Sequence, residues 1–276
     1  MTASQTRPRV MGIVNVTPDS FSDGGRFLDP ASGLGHARRL IADGADILDI
    51  GGESTRPGAT PVAEEDEIAR VVPLIQALRA QSDIPISIDT MKPAVARAAV
   101  AAGATIWNDV AALRFAPDAA EVAAELGCQV VLMHMLGQPG TMQDAPAYDD
   151  VVAEVEAFLL ARAESAVAAG VARDRIWLDP GVGFGKTPEH NLALIAALPR
   201  LVALGYPVLL GASRKRFIAA LDPLGAEPGQ RLGGSLAAHL AGATAGVAAV
   251  RAHDVRETAQ ALAVWDAVFP RRAAHT

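Results

Sequence analysis

Short apolar runs alternate along this chain with longer stretches rich in Ala, Leu, Arg and Glu. The apolar runs have the length of buried strands, and the stretches between them have the length and composition of helices. Strands that alternate with helices are typical of a parallel sheet with right-handed helical crossovers. The pattern predicts helices at 31–43, 64–80, 92–102, 118–126, 149–169, 189–204, 230–246 and 256–268.

Polar side chains recur just beyond the downstream ends of the apolar runs. In a barrel of eight parallel strands, catalytic side chains come from the carboxyl ends of several strands, whereas the opposite face serves stability. The chain has 276 residues, close to the roughly 250 residues typical of that fold. We therefore expect a single (β/α)8 TIM barrel, one domain over 1–276 with flexible tails at 1–8 and 270–276. The strand-end residues are Asn15, Glu53, Asp89, Asn108, His134, Asp179, Lys215, Arg251 and His253.

Three connections are unusual in composition. The loops after the first and second strands, 15–30 and 51–62, are long and rich in Pro, Gly, Asp and Ser. Long polar loops on a barrel are usually lids or binding loops, and ordinary turn formation does not explain Arg56 and its neighbouring hydroxyls. After the sixth strand, DPGVGFGK at 179–186 has alternating glycines, so its backbone could approach a ligand closely. This spacing matches neither a dinucleotide fingerprint nor a phosphate loop.

Composition and charge narrow the class of protein. There are 24 basic and 31 acidic residues, a formal net charge of −7, and no long basic tract, which argues against nucleic acid as the main partner. Cys128 is the single cysteine, which excludes an internal disulfide and suits a reducing cytosol. No apolar run reaches the roughly 18 residues expected of a membrane span. The composition predicts a soluble, cytoplasmic protein without a membrane partner.

The strand-end residues fall into two groups by chemistry. One group supplies acceptors, an amide and a cation, which suits the edge of a flat heterocycle rich in N–H and C=O groups: Asp89, Asn108, Asp179 and Lys215. The other suits a phosphate or diphosphate, with Asn15 offering a neutral oxygen to Mg2+: Asn15, Arg56, Arg251 and His253. Singly, Asp89 could be a helix cap, Lys215 a solvated cation and His253 a structural histidine. Together they predict a heterocycle site beside a polyanion site.

Several segments carry a resemblance to a known family. They are MGIVNVTPDSFSDGG, DIGGESTRPGA, ISIDT, NDV, MHM with PGTMQ, DPGVGFGK, GASRKRF and VRAHDV. From Val10 to about Ala267 the chain resembles the dihydropteroate synthases, the pterin-dependent enzymes of folate biosynthesis. The resemblance implies condensation of (7,8-dihydropterin-6-yl)methyl diphosphate with p-aminobenzoate, with Mg2+ as cofactor. Sulfonamides mimic p-aminobenzoate in this family.

The resemblance also implies a role for each matching residue. Pterin contacts fall on Asp89, Asn108, Asp179 and Lys215, and the metal contact falls on Asn15. Diphosphate contacts fall on Thr55, Arg56, Arg251 and His253. We expect Phe184, Lys186 and Arg216 at the p-aminobenzoate site, and we assign catalysis to Asp89, Asp179, Lys215, Arg251 and His253. The family forms dimers, and small residues in LGGSLAAHLAGATAGVAAV would let another helix approach, so a homodimer is expected.

Some features depart from the family pattern or leave alternatives open. Arg216 stands where serine is frequent, so either its guanidinium or backbone amides at the helix start bind the aminobenzoate carboxylate. Leu136 stands where a polar residue is common, and His134 is expected to be structural. Two other functions remain: a folate-dependent corrinoid methyltransferase, and a non-catalytic paralogue that binds a pterin or a protein.

Overall fold

Eight parallel strands form one sheet in this computed structural model, which describes residues 7–16, 30–54, 60–137, 140–143 and 145–269. Neighbours follow the order β6-β5-β4-β3-β2-β1-β8-β7, and a parallel bridge between Leu178 and Val208 joins the two outer strands. The sheet therefore closes into the predicted (β/α)8 barrel. The strands are β1 (Arg9–Asn15), β2 (Ile47–Gly51), β3 (Ile86–Asp89), β4 (Ile106–Asp109), β5 (Gln129–Met133), β6 (Ile176–Asp179), β7 (Leu209–Leu210) and β8 (Ala249–Ala252).

Helices follow the strands around the outside of the barrel. They are α1 (Pro30–Ala42), α2 (Glu64–Arg79), α3 (Pro93–Ala101), α4 (Ala119–Leu126), α5 (Val151–Ala168), α6 (Pro188–Ala196), α7 (Leu198–Val202), α8 (Arg216–Leu221), α9 (Leu232–Ala245) and α10 (Val255–Val268). Local signals fix several of their ends. Asp150 accepts from the amides of Val152 and Ala153 at the start of α5, and Gly246 adopts a left-handed conformation at the end of α9.

Two helical regions differ in detail from the pattern. The stretch predicted as one helix at 189–204 is divided into α6 and α7, and Pro199 lies at the start of the second helix, where its missing amide costs no hydrogen bond. The segment at 221–234 joins α8 and α9 in the seventh unit and contains 3-10 turns at Pro223–Gly225 and Pro228–Arg231.

The interior of the barrel changes character along the strands. Its lower layer is apolar and fully packed: Met11, Ile47, Ile106, Val131, Trp177, Leu209 and Ala249. Side chains on a strand alternate between its two faces, so the residue two positions further along faces the same interior. On β2, β4, β6 and β8 these next residues are Asp49, Asn108, Asp179 and Arg251. The carboxyl end of the barrel is therefore lined by charged and amide groups above an apolar floor.

Candidate active site

Arg251 lies at the centre of the polar layer. Its Nε donates to Asp49 Oδ2 at 2.6 Å, and one Nη donates to Asp89 Oδ2 at 2.7 Å. Burial by itself would lower the pKa of Arg251, but the charges of Asp49 and Asp89 outweigh it and raise that pKa. The guanidinium stays charged and holds two carboxylates from neighbouring strands.

Asp49 is a member of this layer that the strand-end pattern missed. It is fully buried in the middle of β2, and Asn108 Nδ2 lies 3.3 Å from its Oδ2. The signal that could have found it is the alternation within DILDIGG, where a charge interrupts a buried strand at an inward-facing position.

Asp89 carries an acceptor without a partner. Its Oδ1 is buried and makes no hydrogen bond to any described residue, and the same holds for Ser87 Oγ two positions earlier. Burial raises the pKa of Asp89, Arg251 opposes that shift, and Asp49 adds to it. Because buried polar atoms are normally paired, these two atoms offer hydrogen-bonding capacity to a bound group.

Asp179 and Lys215 extend the polar layer. Asp179 Oδ1 accepts from the amide of Gly181 at 2.7 Å, and burial raises the pKa of this carboxyl to about 6. Lys215 Nζ lies 4.0 Å from the centre of the Phe184 ring. Burial lowers the pKa of Lys215 to about 8, with Arg251 acting in the same direction and Asp179 opposing. The cation and the aromatic face are thus next to the carboxylates.

The glycines after β6 approach the protein itself rather than open space. Gly181, Gly183 and Gly185 have φ of 66°, 85° and 63°. A Cβ would lie 1.9 Å from the His134 carbonyl oxygen at Gly181, and 2.7 Å from Leu136 Cβ at Gly185. At Gly183 it would meet the Lys215 stem at 2.9 Å. The sequence predicted that these glycines let the backbone approach a ligand. Instead, they let the backbone pack closely against the residues after β5 and against Lys215.

Lys186 is buried inside that loop. Its Nζ lies 2.9 Å from His134 Nδ1 and donates to the carbonyl oxygens of Gly181 at 3.0 Å and Phe184 at 2.9 Å. Burial lowers the pKa of Lys186 to about 7 and that of His134 to about 3, so the histidine accepts as a neutral ring. Lys186 fastens the glycine loop to the end of β5, and its contact with an aminobenzoate stays a prediction.

His253 is held beside Arg251 by Ser213. The Ser213 hydroxyl accepts from the backbone amide of His253 at 3.1 Å and lies 3.0 Å from its Nδ1. The Ser213 hydroxyl can also donate to Nδ1, and in that tautomer the ring proton of His253 is on Nε2. Burial lowers the pKa of His253 to about 3, and Arg251 adds to the shift. His253 is therefore a neutral donor next to a fixed cation, which suits an anion.

Glu53 does not join the polar layer, although it follows β2. Its Oε2 accepts from Lys92 Nζ at 2.6 Å, and Lys92 also contacts Glu67 at 2.7 Å and the carbonyl oxygen of Val62 at 2.6 Å. The carboxylate turns to this buried lysine, which links the two sides of the 51–62 loop. Thr55 and Arg56 lie in 55–59, and most of the first loop lies in 17–29, outside the described residues.

The remaining predicted residues lie around the mouth. Asn15 ends β1, half-buried, opposite Gly51. Arg216 is exposed and begins α8, directly after Lys215. A wall that the sequence did not indicate is a cluster of four buried sulfur-bearing and apolar side chains, with Met91 and Phe184 packed against it: Val110, Met133, Met135 and Met142. Such polarizable side chains suit the face of a flat ring.

No helix in the part of the chain that the structure describes has both the length and the apolar character needed to cross a membrane.

Comparisons with known proteins agree on one family. The family model for pterin binding enzymes matches residues 11–253. Dihydropteroate synthase of Escherichia coli K12 is 47% identical over 264 residues, covering 96% of this chain and 93% of that protein. A structure of Xanthomonas albilineans dihydropteroate synthase with 4-aminobenzoic acid has 55% identity and a TM-score of 0.90, covering 97% and 95% of the two chains. Its complex with 7,8-dihydropteroate has 52% identity and a TM-score of 0.87, covering 97% and 96%.

Proposed function

The chain belongs to the pterin-binding enzyme family, and we propose that it is a dihydropteroate synthase. It condenses (7,8-dihydropterin-6-yl)methyl diphosphate with p-aminobenzoate and releases 7,8-dihydropteroate and diphosphate. Relatives of that name share 47% to 55% of their residues with it over nearly the whole chain. One of them, the Xanthomonas albilineans enzyme, has been solved both with 4-aminobenzoic acid and with 7,8-dihydropteroate.

The observation that carries the proposal is the buried polar layer with an unpaired acceptor. Asp89 Oδ1 is buried and unpaired among the described residues, at the carboxyl end of the barrel, where Asn108, Asp179 and Lys215 also lie. A dihydropterin offers N–H donors to the carboxylates and the amide oxygen, and ring acceptors to the lysine. Its flat face suits the wall formed by the methionines and Phe184. Arg251 and His253 lie next to this pocket and suit the diphosphate.

The reaction breaks the bond between the pterin methylene carbon and the diphosphate oxygen. Cation character develops on the electron-rich pterin, and Asp89 and Asp179 are placed to stabilise it. Arg251 and the neutral His253 donor stabilise the departing diphosphate, with Thr55 and Arg56 assigned to the same anion. The aromatic amine then uses its nitrogen lone pair to form the new carbon–nitrogen bond and releases a proton. Since that amine is already nucleophilic, positioning it beside Phe184 and Arg216 is the main task.

Asn15 is the residue proposed to contact a magnesium ion. Within the described residues, no group of three or more His, Cys, Asp or Glu side chains could hold a metal. Mg2+ commonly takes only one or two protein oxygens and completes its shell with water and substrate phosphates. Asn15 at the barrel mouth provides one such oxygen. The ion would neutralise charge on the leaving diphosphate.

The protein works as a homodimer in this proposal. An apolar groove of about 550 Å³ runs along α9 and α10, lined by Leu236, Leu240, Trp265 and Phe269 among others. Val264 and Val268 in the same groove are 59% and 61% exposed. A second copy would cover this face, and Val264→Glu should convert dimers to monomers in analytical ultracentrifugation.

The cytoplasmic location stays a prediction from the sequence.

The activity is tested by leaving out one component at a time. Purified protein with the dihydropterin diphosphate, p-aminobenzoate and Mg2+ should form dihydropteroate and diphosphate in equal amounts. Omitting either p-aminobenzoate or Mg2+ should stop diphosphate release. Arg251→Ala, prepared in parallel, should lose the activity and so excludes a contaminating enzyme.

Each alternative function predicts a different result. No product with all components present, together with intact pterin binding, would favour a non-catalytic paralogue. Transfer of a methyl group from methyltetrahydrofolate to a reduced corrinoid, followed by the absorbance of the corrinoid, would favour the methyltransferase.

A further inference from the structure

We infer that Asp49 is a positioning residue that holds Arg251 and Asn108 together, and so links the diphosphate pocket to the pterin pocket. This inference deepens the proposed function and rests on the roles assigned there to Arg251 and Asn108. Asp49 itself is fully buried, one inward-facing position above Ile47 and one below Gly51. Its carboxylate contacts are taken up by Arg251 and Asn108, so it acts through these neighbours.

The contact with Arg251 fixes the plane of the guanidinium. Arg251 Nε donates to Asp49 Oδ2 at 2.6 Å, which is short for a charged hydrogen bond. Its other carboxylate contact, to Asp89, uses a terminal nitrogen. When a diphosphate competes for the terminal nitrogens, the Nε contact can remain while the contact with Asp89 is released. Asp49 thus keeps Arg251 at the mouth in both states.

The contact with Asn108 fixes which end of the amide faces the pocket. An ionised carboxylate only accepts hydrogen bonds, so Asn108 turns its Nδ2 toward Asp49, at 3.3 Å. The carbonyl oxygen of Asn108 then points away from Asp49 and is available to a donor on the pterin. Without the carboxylate, nothing in this contact distinguishes the two ends of the amide.

The two contacts together predict how the loss of Asp49 affects ligand binding. A residue that touched only one pocket would affect only one ligand when changed. Asp49 touches neither ligand, but it orients one residue of each pocket, so its loss should weaken both ligands. The hydrogen bonds of Asp49 go to Arg251 and Asn108 and not to Lys215, so Lys215 should behave independently of it.

The test uses Asp49→Asn, which keeps the size of the side chain and removes its charge. Titration calorimetry would measure 6-hydroxymethylpterin and, separately, Mg2+ with inorganic diphosphate. We expect each affinity to fall about tenfold to a hundredfold, the range for losing a hydrogen bond to a charged group. Combined with Asn108→Ala, the effects on pterin binding should be non-additive, whereas combined with Lys215→Ala they should add.

Asp46→Asn is the matched control. Asp46 pairs with Arg7 at 2.8 Å at the opposite end of the barrel, three residues earlier in the chain. The Asp46→Asn substitution should lower the melting temperature without changing the affinity for the pterin or for Mg2+ with diphosphate. Equal binding by Asp49→Asn and the wild type, loss of only one ligand, or additive effects with Asn108→Ala would each overturn the inference. A wild type that binds pterin without turnover would refute the proposed function alone, and wild-type protein that binds neither ligand would refute both.

Discussion

The two layers inside the barrel are built on the same strands but differ in how well their groups are satisfied. The lower layer around Met11, Ile106 and Trp177 is apolar and buried on all sides. Two residues further along the strands, the upper layer buries charges, and Asp89 Oδ1 and Ser87 Oγ have no partner among the described residues. The fold therefore places its stabilising contacts and its reactive groups next to each other, two residues apart along the same strands.

Stability and function depend on different layers of the barrel interior. Burying apolar area stabilises the folded state, whereas burying charged groups costs free energy unless each charge is paired. The upper layer keeps its charges because Arg251 bridges two carboxylates. Substitutions in the lower layer should thus affect folding first, and substitutions in the upper layer should affect catalysis first.

The largest effect is expected for Trp177→Ala in the lower layer. Trp177 is 2% exposed, and its loss leaves a cavity, so the free energy of unfolding should fall by about 3–5 kcal/mol. Urea denaturation would measure this loss. Turnover per folded molecule, measured well below the melting temperature, should stay within about threefold because the polar layer keeps its own contacts. A folded but inactive variant would contradict the separation of the two layers.

Arg251→Met in the upper layer should instead reduce activity strongly. Loss of one partner of buried charge pairs at a binding site costs about 2–5 kcal/mol, so kcat/KM should fall roughly thirtyfold to several thousandfold. Steady-state kinetics with the dihydropterin diphosphate would measure this. Arg251→Lys is the control, because it keeps the charge but cannot bridge Asp49 and Asp89 with two nitrogens in the same plane.

The stability of Arg251→Met should also depend on pH in a defined direction. Burial already raises the pKa of Asp89, and Arg251 opposes that shift. Without Arg251 the carboxyl in the folded state binds a proton that the unfolded chain has released. The pKa of Asp89 is already raised to about 7 in the wild type, so the variant should lose stability relative to the wild type as pH rises above about 7, and the deficit should be smaller below that pH. A deficit that shrinks as pH rises would refute this account.

A smaller effect is expected on the dependence of kcat/KM on pH, and it should come from Lys215. Burial lowers the pKa of Lys215 to about 8, so its ammonium should be lost as pH rises through that value. Because the proposed contact to the pterin requires the charged donor, kcat/KM should fall about tenfold per pH unit above that point. Lys215→Arg should be less active but should lack this decline, since arginine keeps its charge. A decline that persists in Lys215→Arg would instead point to another group, such as Lys186.

The sequence predicted the position of the site better than the partners of each residue. Asp89, Asn108, Asp179 and Arg251 could be found because parallel strands bring their carboxyl ends to one face, whatever the details of packing. Asp49 does not follow this rule, because it lies in the middle of β2 rather than at the end of the strand.

Other residues depend on contacts between distant segments, which spacing does not reveal. Lys186 follows three glycines, a pattern that suggested a ligand, but its nitrogen is bound by His134 and by loop carbonyl oxygens. Glu53 follows β2 as predicted but turns to Lys92, 39 residues later. The barrel itself required only alternation of strands and helices, which is local information.

The smallest effect is expected for Arg216, the exposed residue after Lys215. An exposed cation and a carboxylate attract each other by roughly 0.2–1 kcal/mol, so Arg216→Ala should raise the KM for p-aminobenzoate by no more than about fivefold. The KM for the dihydropterin should not change, because Lys215 and the carboxylates remain. Arg216→Ser tests whether a hydroxyl serves the same carboxylate, and it should restore wild-type KM. If neither variant changes the KM for p-aminobenzoate at low ionic strength, Arg216 does not bind the carboxylate, and the backbone amides at the start of α8 become the better candidates.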